Sequence, residues 1–438
     1  MQGSLETIDI VILAGYCAVL VWMGIYFRKR CRTADEFMVA GRSIPAWAAG
    51  LAVMSAYTSS ISYIATPGKA FESNWHPIIF SLCIIPVAWL VCKYAVPYYR
   101  KTQLISVYGF LEDRLGGWGR FYAALSFLLY MVGRVAVILY LVSLLLARLF
   151  PTSGQWETEI LATVIIVIGL ITIIYTLLGG MEAVVWTDVM QSVVMIVGVL
   201  FCVVVLTRDI FSGAEPLAQA AIDNNKFSFG SWDLSLSSRT IWVMIIYGLT
   251  ENLRNLMADQ NYVQKYSSVP SEREAKKSIW MAMLIYIPLT AIFLYIGTAL
   301  FAFYSGSEEL AQAGITKGDE VFPHFIATQL PAGLKGLIIA AIVAAAMSTV
   351  DSALNCSATV LLLDFYKRYI RADLGERGSL VFLRVATVVW GLLGTGFALL
   401  MIRAKSALDV WWKISGIFGG GILGLFILSL LKVKLKLW

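Results

Sequence analysis

The chain has 438 residues, 59% of them hydrophobic and only 14% charged, with a net charge of +6 and a mean hydropathy of +0.76. Soluble domains carry about a quarter charged residues, so this chain lacks the polar surface of a water-soluble globule and its solvent is lipid. No Lys- and Arg-rich block interleaved with aromatics points to nucleic acid, and two histidines with six scattered cysteines exclude a zinc-site or disulfide framework.

The N-terminus carries Glu6 and Asp9 and no basic segment, so no cleaved signal peptide is expected. A membrane helix needs about 20 mainly apolar residues. Eleven segments meet that need: Ile8–Phe27, Ala46–Thr66, Ile78–Val96, Phe121–Ala147, Ile160–Leu178, Val184–Leu206, Ile241–Leu256, Ile279–Phe303, Gly336–Leu363, Leu380–Ile402 and Val410–Leu431. With the N-terminus outside, twenty Lys and Arg fall in cytoplasmic connections, Lys265 among them, against nine in outer ones. The bias predicts a multi-pass protein of the cell (inner) membrane with the N-terminus out and the C-terminus in. Two longer outer connections, Thr207–Thr240 and Tyr304–Lys335, read as solvated loops.

The first segment with its loop (1–45) is a lead-in. The remaining ten form two groups of five that start on opposite sides of the membrane, 46–206 and 241–438, joined by an extracellular loop at 207–240. An odd number per group makes an inverted repeat by topology alone. The fold class is therefore all-α and integral to the membrane, a 5+5 inverted repeat with one extra N-terminal helix.

The Ala46–Thr66 segment carries five hydroxyl residues, Ser55, Thr58, Ser59, Ser60 and Ser62, at mid-membrane. Such residues bond back onto the backbone and loosen a helix. The stretch reads either as a broken helix whose freed carbonyls bind a cation or as a seam of small residues joining helices. In the Phe121–Ala147 segment, Arg134 stands at mid-bilayer, where a guanidinium costs about 2.5–3.5 kcal/mol on insertion scales. It either captures a substrate carboxylate with its planar fork or pairs with an intramembrane acid such as Asp188, Glu251 or Asp351.

Asp188 opens the Val184–Leu206 segment, where an interfacial residue at a helix start is the simpler reading. Glu251 and Arg254 stand i, i+3 and are placed to pair with each other. The stretch Asp259–Tyr266 reads as the cytoplasmic exit from the Ile241–Leu256 segment. In Gly336–Leu363, Ser348, Asp351, Ser352 and Asn355 share one helical face at i, i+3, i+4 and i+7. This face offers the oxygen ligands that a hard cation wants, or else a polar interhelical seam. The alanine run before it allows close helix approach.

These residues resemble the sodium/solute symporter family, which has the LeuT-like fold, across essentially the whole chain. The likeness is carried by Gly179–Gly180–Met181–Glu182 with Trp186–Thr187–Asp188–Val189–Met190–Gln191, by Asp259–Tyr266 and by Ala344–Ser352. Ser59–Ser60–Ile61–Ser62 leading to Pro67–Gly68–Lys69–Ala70 and Trp75, and Gly133–Arg134–Val135–Ala136, are similar to the bacterial sialic acid symporters. The resemblance implies sodium-coupled import of a small carboxylate-bearing solute, best matched by sialic acid (N-acetylneuraminate), and no enzyme activity. It implies a main sodium site from the carbonyls of Ser55, Thr58 and Ala345 with the hydroxyls of Ser348 and Thr349. A second sodium would fall on Asp188, Ser348, Asp351 and Ser352, where Asp351 replaces a serine. The substrate site would comprise Arg134, Ser59, Ser62, Tyr57 and Ser81. Tyr57 and Ser81 stand where that branch carries threonine and glutamine. The chain stops after the tenth core segment, so the family's final helices are not expected. The partners implied are sodium, an anionic solute and the lipid bilayer, with no nucleic acid. The rival readings are a proton-coupled or other monocarboxylate or sugar transporter of the same fold, and a solute-binding membrane sensor.

Overall fold

The computed structural model describes residues 5–147, 155–213, 215–235, 240–402 and 413–430. Each expected segment falls on a helix, the last of them, Val410–Leu431, within the described part of its range. We label the helices α1 (Thr7–Arg28), α2 (Ala46–Tyr57), α3 (Ser60–Glu72), α4 (Ile78–Thr102), α5 (Gly109–Ala147), α6 (Gln155–Gly213), α7 (Ile241–Leu253), α8 (Gln260–Ser267), α9 (Glu272–Tyr304), α10 (Leu334–Ile370), α11 (Glu376–Met401) and α12 (Ser415–Ser429). Seven helices among the described residues are long and apolar enough to cross a membrane, and a bent pair, Ala34–Arg42 with α2, adds an eighth. The protein is an all-helical, multi-pass membrane protein.

Burial sorts these helices. α10 is the hub: 94% of its most apolar window is buried, against 22% for α1, so α10 faces protein and α1 faces lipid. It packs on α6, α5, α11 and α1. The alanine run makes this close packing possible, since a Cβ added at Gly198 of α6 would stand 3.0 Å from the Ala341 Cβ. α6 contains two expected segments in one long helix broken at Gly180, whose φ of +56° and ψ of −149° only glycine adopts readily. Glu182, just past that break, accepts from Arg30 Nη1 at 3.0 Å and ties the turn to the end of α1.

Three expectations about the connections need correction. The Tyr304–Lys335 connection contains the helix Gly318–Gln329, which buries Val321, Phe322, Phe325 and Ile326 and lays Phe322 against Tyr63 of α3. The Thr207–Thr240 connection is partly helical too, at the end of α6 and at Glu215–Asp223. Asp259–Tyr266 is no exit loop: α8 lies buried against α2 and α10.

Candidate functional site

The hydroxyl stretch breaks its helix. α2 ends at Tyr57; Thr58 (φ −102°, ψ 92°) and Ser59 (φ −96°, ψ 172°) are extended, and α3 restarts at Ser60 with Ser59 as its cap. A second break lies in the segment after the loop. There α7 runs through a wide-turn stretch, Arg254–Ala258, and stops at Asp259 (φ −99°, ψ 117°), whose side chain accepts from Asn261 N to start α8. Breaks free backbone carbonyls that a continuous helix would use. Tyrosines satisfy three of them: Tyr262 Oη donates to Ala56 O at 3.0 Å, Tyr99 Oη to Met257 O at 2.6 Å, and Tyr266 Oη to Leu256 O at 2.9 Å.

The first break faces the middle of α10. Ser55 Oγ donates to Ser348 Oγ at 2.8 Å, and both side chains are fully buried. Ser348 Oγ and Thr349 Oγ1 lie 3.2 and 3.1 Å from Ala345 O. Ser348 Oγ, which accepts from Ser55, and Thr349 Oγ1 stand on one turn of α10 with the Ala345 carbonyl. The five residues implied for the main sodium site thus supply neutral oxygens only, from two adjoining helices, in a dry setting. That set fits a small monovalent hard cation, which is held at helix breaks by carbonyls and hydroxyls. Among the described residues, no group of three His, Cys, Asp or Glu side chains is placed to hold a metal.

Asp188 departs from its simpler sequence reading. It is not interfacial but fully buried, two turns past the Gly180 break. Lys265 Nζ of α8 stands 2.8 Å from its Oδ2 and donates to Ala52 O at 3.0 Å. At that distance the two form a dry ammonium–carboxylate ion pair. Lys265, counted above among cytoplasmic charges, is 1% exposed and is therefore an interior cation. An intramembrane acid without a basic partner is costly; that demand, had Asp188 been read as buried, was the signal in the sequence for a base such as Lys265. Asp351 turns elsewhere. Its Oδ2 accepts from Tyr175 Oη at 2.7 Å and lies 3.3 Å from Thr187 Oγ1, and its Oδ1 is 3.1 Å from Ser352 Oγ. Ser352 Oγ also lies 2.7 Å from Ser348 O. Asn355, the last residue of that face, donates to Phe37 O and accepts from Gln264, so this end of the face is an interhelical seam.

Arg134 lies beside the first break. Its Nη2 donates to Ala56 O at 3.2 Å, and no Asp or Glu among the described residues forms an ion pair with it. The acids proposed as its partners are engaged otherwise: Asp188 with Lys265, Asp351 with Tyr175, and Glu251 with Arg254 in the expected i, i+3 pair. Arg254 also reaches Asp259 at 3.2 Å and Tyr130 Oη at 3.3 Å. Tyr57 sets its ring 4.7 Å from that of Tyr262 and 5.1 Å from that of Tyr286, tilted to both. Ser81 donates to Thr290 Oγ1 at 3.0 Å, one turn from Tyr286 on α9. Ser59 accepts from Ser62 N, and Ser62 Oγ lies 3.4 Å from Tyr57 O, so both hydroxyls sit at the break. Tyr175, Tyr262 and Tyr286 were not singled out from the sequence, because aromatics are explained equally well by interfacial belts, and Lys265 was counted with the cytoplasmic charges.

A helix broken at half-depth, facing a hydroxyl-lined partner helix and flanked by a dry guanidinium, defines an ion-coupled secondary transporter. The sodium:solute symporter family pattern matches residues 37–436. The chain is 32% identical over 426 residues to the sodium/sialic acid symporter SiaT of Proteus mirabilis, covering 97% of this chain and 84% of that one. It is 32% identical to the sodium/sialic acid symporter NanT of Aliivibrio fischeri (98% and 83% covered) and 25% identical to human sodium-coupled monocarboxylate transporter 1 (98% and 70% covered). A solved structure of a Na+-coupled sialic acid symporter in a substrate-bound outward-open state matches with a TM-score of 0.89 at 32% identity, covering 97% of this chain and 87% of that one. The chain belongs to the sodium:solute symporter family; it is a sodium-coupled transporter and not an enzyme.

Proposed function

We propose that the protein imports a sialic acid, N-acetylneuraminate, together with sodium by alternating access. The observation that carries this reading is Arg134: a buried guanidinium that donates to Ala56 O and, among the described residues, forms no ion pair with an acid, set where a solute would meet the broken helix. Arginine without a carboxylate at membrane depth is costly unless a ligand supplies one. Sodium is held by the carbonyls of Ser55, Thr58 and Ala345 and the hydroxyls of Ser348 and Thr349. The solute docks its carboxylate on Arg134, with Tyr57, Ser59, Ser62 and Ser81 around it. Sodium joins α2 to α10, the solute binds beside that joint, and each ligand raises the affinity for the other by the same factor. The path is eleven crossings, a lead-in helix at 1–45 and repeats at 46–206 and 241–438, with the N-terminus outside and the C-terminus inside. The charge bias supports that orientation even with Lys265 removed from the cytoplasmic side.

A second reading is favoured by Tyr57. Its ring and those of Tyr262 and Tyr286 crowd the break, which suits a smaller monocarboxylate. The test is uptake into proteoliposomes under an inward sodium gradient, with N-acetylneuraminate, lactate and pyruvate as solutes. Sodium-driven accumulation of N-acetylneuraminate supports the first reading; accumulation of the small acids alone selects the second. Sodium-independent uptake abandons both.

A further inference from the structure

α8 carries three carboxamides, all buried: Gln260, Asn261 and Gln264. Two are engaged. Gln260 accepts from Val107 N and donates to Ile105 O, and Gln264 Nε2 lies 2.6 Å from Met38 O and 2.8 Å from Asn355 Oδ1. Asn261 differs. It is 2% exposed, and neither its Oδ1 nor its Nδ2 has a hydrogen-bond partner among the described residues. An amide in a dry interior is costly unless paired, and one left unpaired in a native fold calls for an explanation such as an ion. Its place is fixed by the backbone, because Asn261 N donates to Asp259 Oδ1 at 2.9 Å where α8 starts.

Helical register tells what this side chain meets. Asn261 precedes Gln264 by three residues and Lys265 by four, so it shares their face one turn nearer the second break. Gln264 reaches α10 at Asn355, and Lys265 reaches α2 at Ala52 O. Asn261 is therefore turned to the seam between α2 and α10. Tyr262 meets Ala56 O where Lys265 meets Ala52 O, so α2 runs antiparallel to α8, and the turn abreast of Asn261 carries Ser55. α10 runs parallel to α8, since α9 crosses back between them; one turn nearer the middle from Asn355 stands Ser352, and one turn further Ser348. In that seam Ser55 Oγ meets Ser348 Oγ at 2.8 Å. We infer that Asn261 supplies a carboxamide oxygen to the sodium ion held there, a ligand drawn from the second broken helix. The inference rests on the main-site assignment proposed above. A carboxamide oxygen is a neutral, hard ligand of the same kind as the carbonyls and hydroxyls already placed. With it, sodium ties α8 as well as α2 to α10, so one ion orders both breaks.

The test follows sodium binding by the thermal shift of the full chain in detergent, with sodium chloride titrated against choline chloride at constant ionic strength. Asn261→Leu keeps the volume and removes the amide. Its melting temperature without sodium is expected to equal or exceed that of the wild type, because no buried amide is left unpaired. The sodium concentration that gives half of the shift is expected to rise about tenfold, the loss of one ligand. Asn261→Ala, which fits where leucine would strain the packing, is expected to show the same rise. Ser348→Ala is measured beside them. A rise in Ser348→Ala with none in either Asn261 variant overturns the inference and leaves the main site standing. No rise in Ser348→Ala sinks the main-site reading itself, a different result. A loss confined to the further shift that N-acetylneuraminate gives at saturating sodium would assign Asn261 to the solute and likewise overturn the inference.

Discussion

Ser55 and Ser348 lie 293 positions apart in the chain, yet the hydroxyl of one donates to the hydroxyl of the other at 2.8 Å. The bond joins the last turn before the first helix break to the middle of the most buried helix. A cation seated there would draw oxygens from both helices, so its binding energy is spent on holding them together. Ser348→Ala or Thr349→Ala removes one oxygen ligand and leaves α10 packed as before. The sodium concentration for half-maximal uptake is expected to rise roughly tenfold or more, the loss of about one charge-assisted contact. Uptake measured across sodium concentrations checks this, and unchanged half-saturation in both variants would remove the main-site assignment.

Arg134 is the second test. Its guanidinium has five donors, one of which is used by Ala56 O. Arg134→Ala is expected to weaken solute binding by at least a hundredfold, since a desolvated charge-assisted pair is lost. Arg134→Lys keeps the charge but not the planar fork and should recover only part of the affinity. In both variants sodium still stabilises the protein thermally, because the main sodium site does not include Arg134. Thermal shifts with sodium alone and with sodium plus N-acetylneuraminate separate the two effects.

The spans and the first break were legible in the sequence, and for physical reasons. Lipid demands unbroken apolar runs, so α1, α9 and α11 declare themselves by hydropathy; hydroxyl-rich Ser55–Ser62 declares itself as the exception. The second break was hidden. α8 contains Gln260, Asn261, Gln264 and Lys265, all buried, and reads as an aqueous connection because protein rather than lipid surrounds it. A half-helix enclosed by other helices is free of the hydropathy rule that exposes a lipid-facing one. For the same reason Asp188 looked interfacial: its partner sits on a segment that composition had placed outside the membrane. Arg134 was legible as a functional candidate, but only the coordinates show that Asp188, Asp351 and Glu251 have other partners.

The Asp188–Lys265 pair predicts an asymmetry. Asp188→Asn leaves the buried ammonium without the carboxylate it faces at 2.8 Å, which costs about 3–5 kcal/mol, and no sodium ion can relieve it. Lys265→Gln leaves a buried carboxylate, which sodium can neutralise. In detergent, the Asp188→Asn protein should melt well below the wild type at any sodium concentration. The Lys265→Gln protein should regain much of its loss as sodium is raised. Equal, sodium-independent losses in the two variants would argue that the pair is only packing.

Asp9 fixes the lead-in helix to the hub. Its Oδ1 accepts from Gly333 N at 2.8 Å and Gly336 N at 2.7 Å, at the N-terminus of α10, while Oδ2 accepts from Glu6 N at 3.0 Å. A helix start leaves amide donors unpaired and carries partial positive charge, so a buried carboxylate supplied from another helix serves both needs. Asp9→Ala is expected to cost about 1–2 kcal/mol, whereas Asp9→Asn keeps an acceptor and should lose only the charge contribution. Because α10 carries Ala345, Ser348 and Thr349, a loosened outer end should also raise the sodium concentration needed for uptake in Asp9→Ala more than in Asp9→Asn. Melting curves and sodium titrations of the two variants decide it. Identical behaviour of both with wild type would mean that α1 is held by its apolar face against α6 alone.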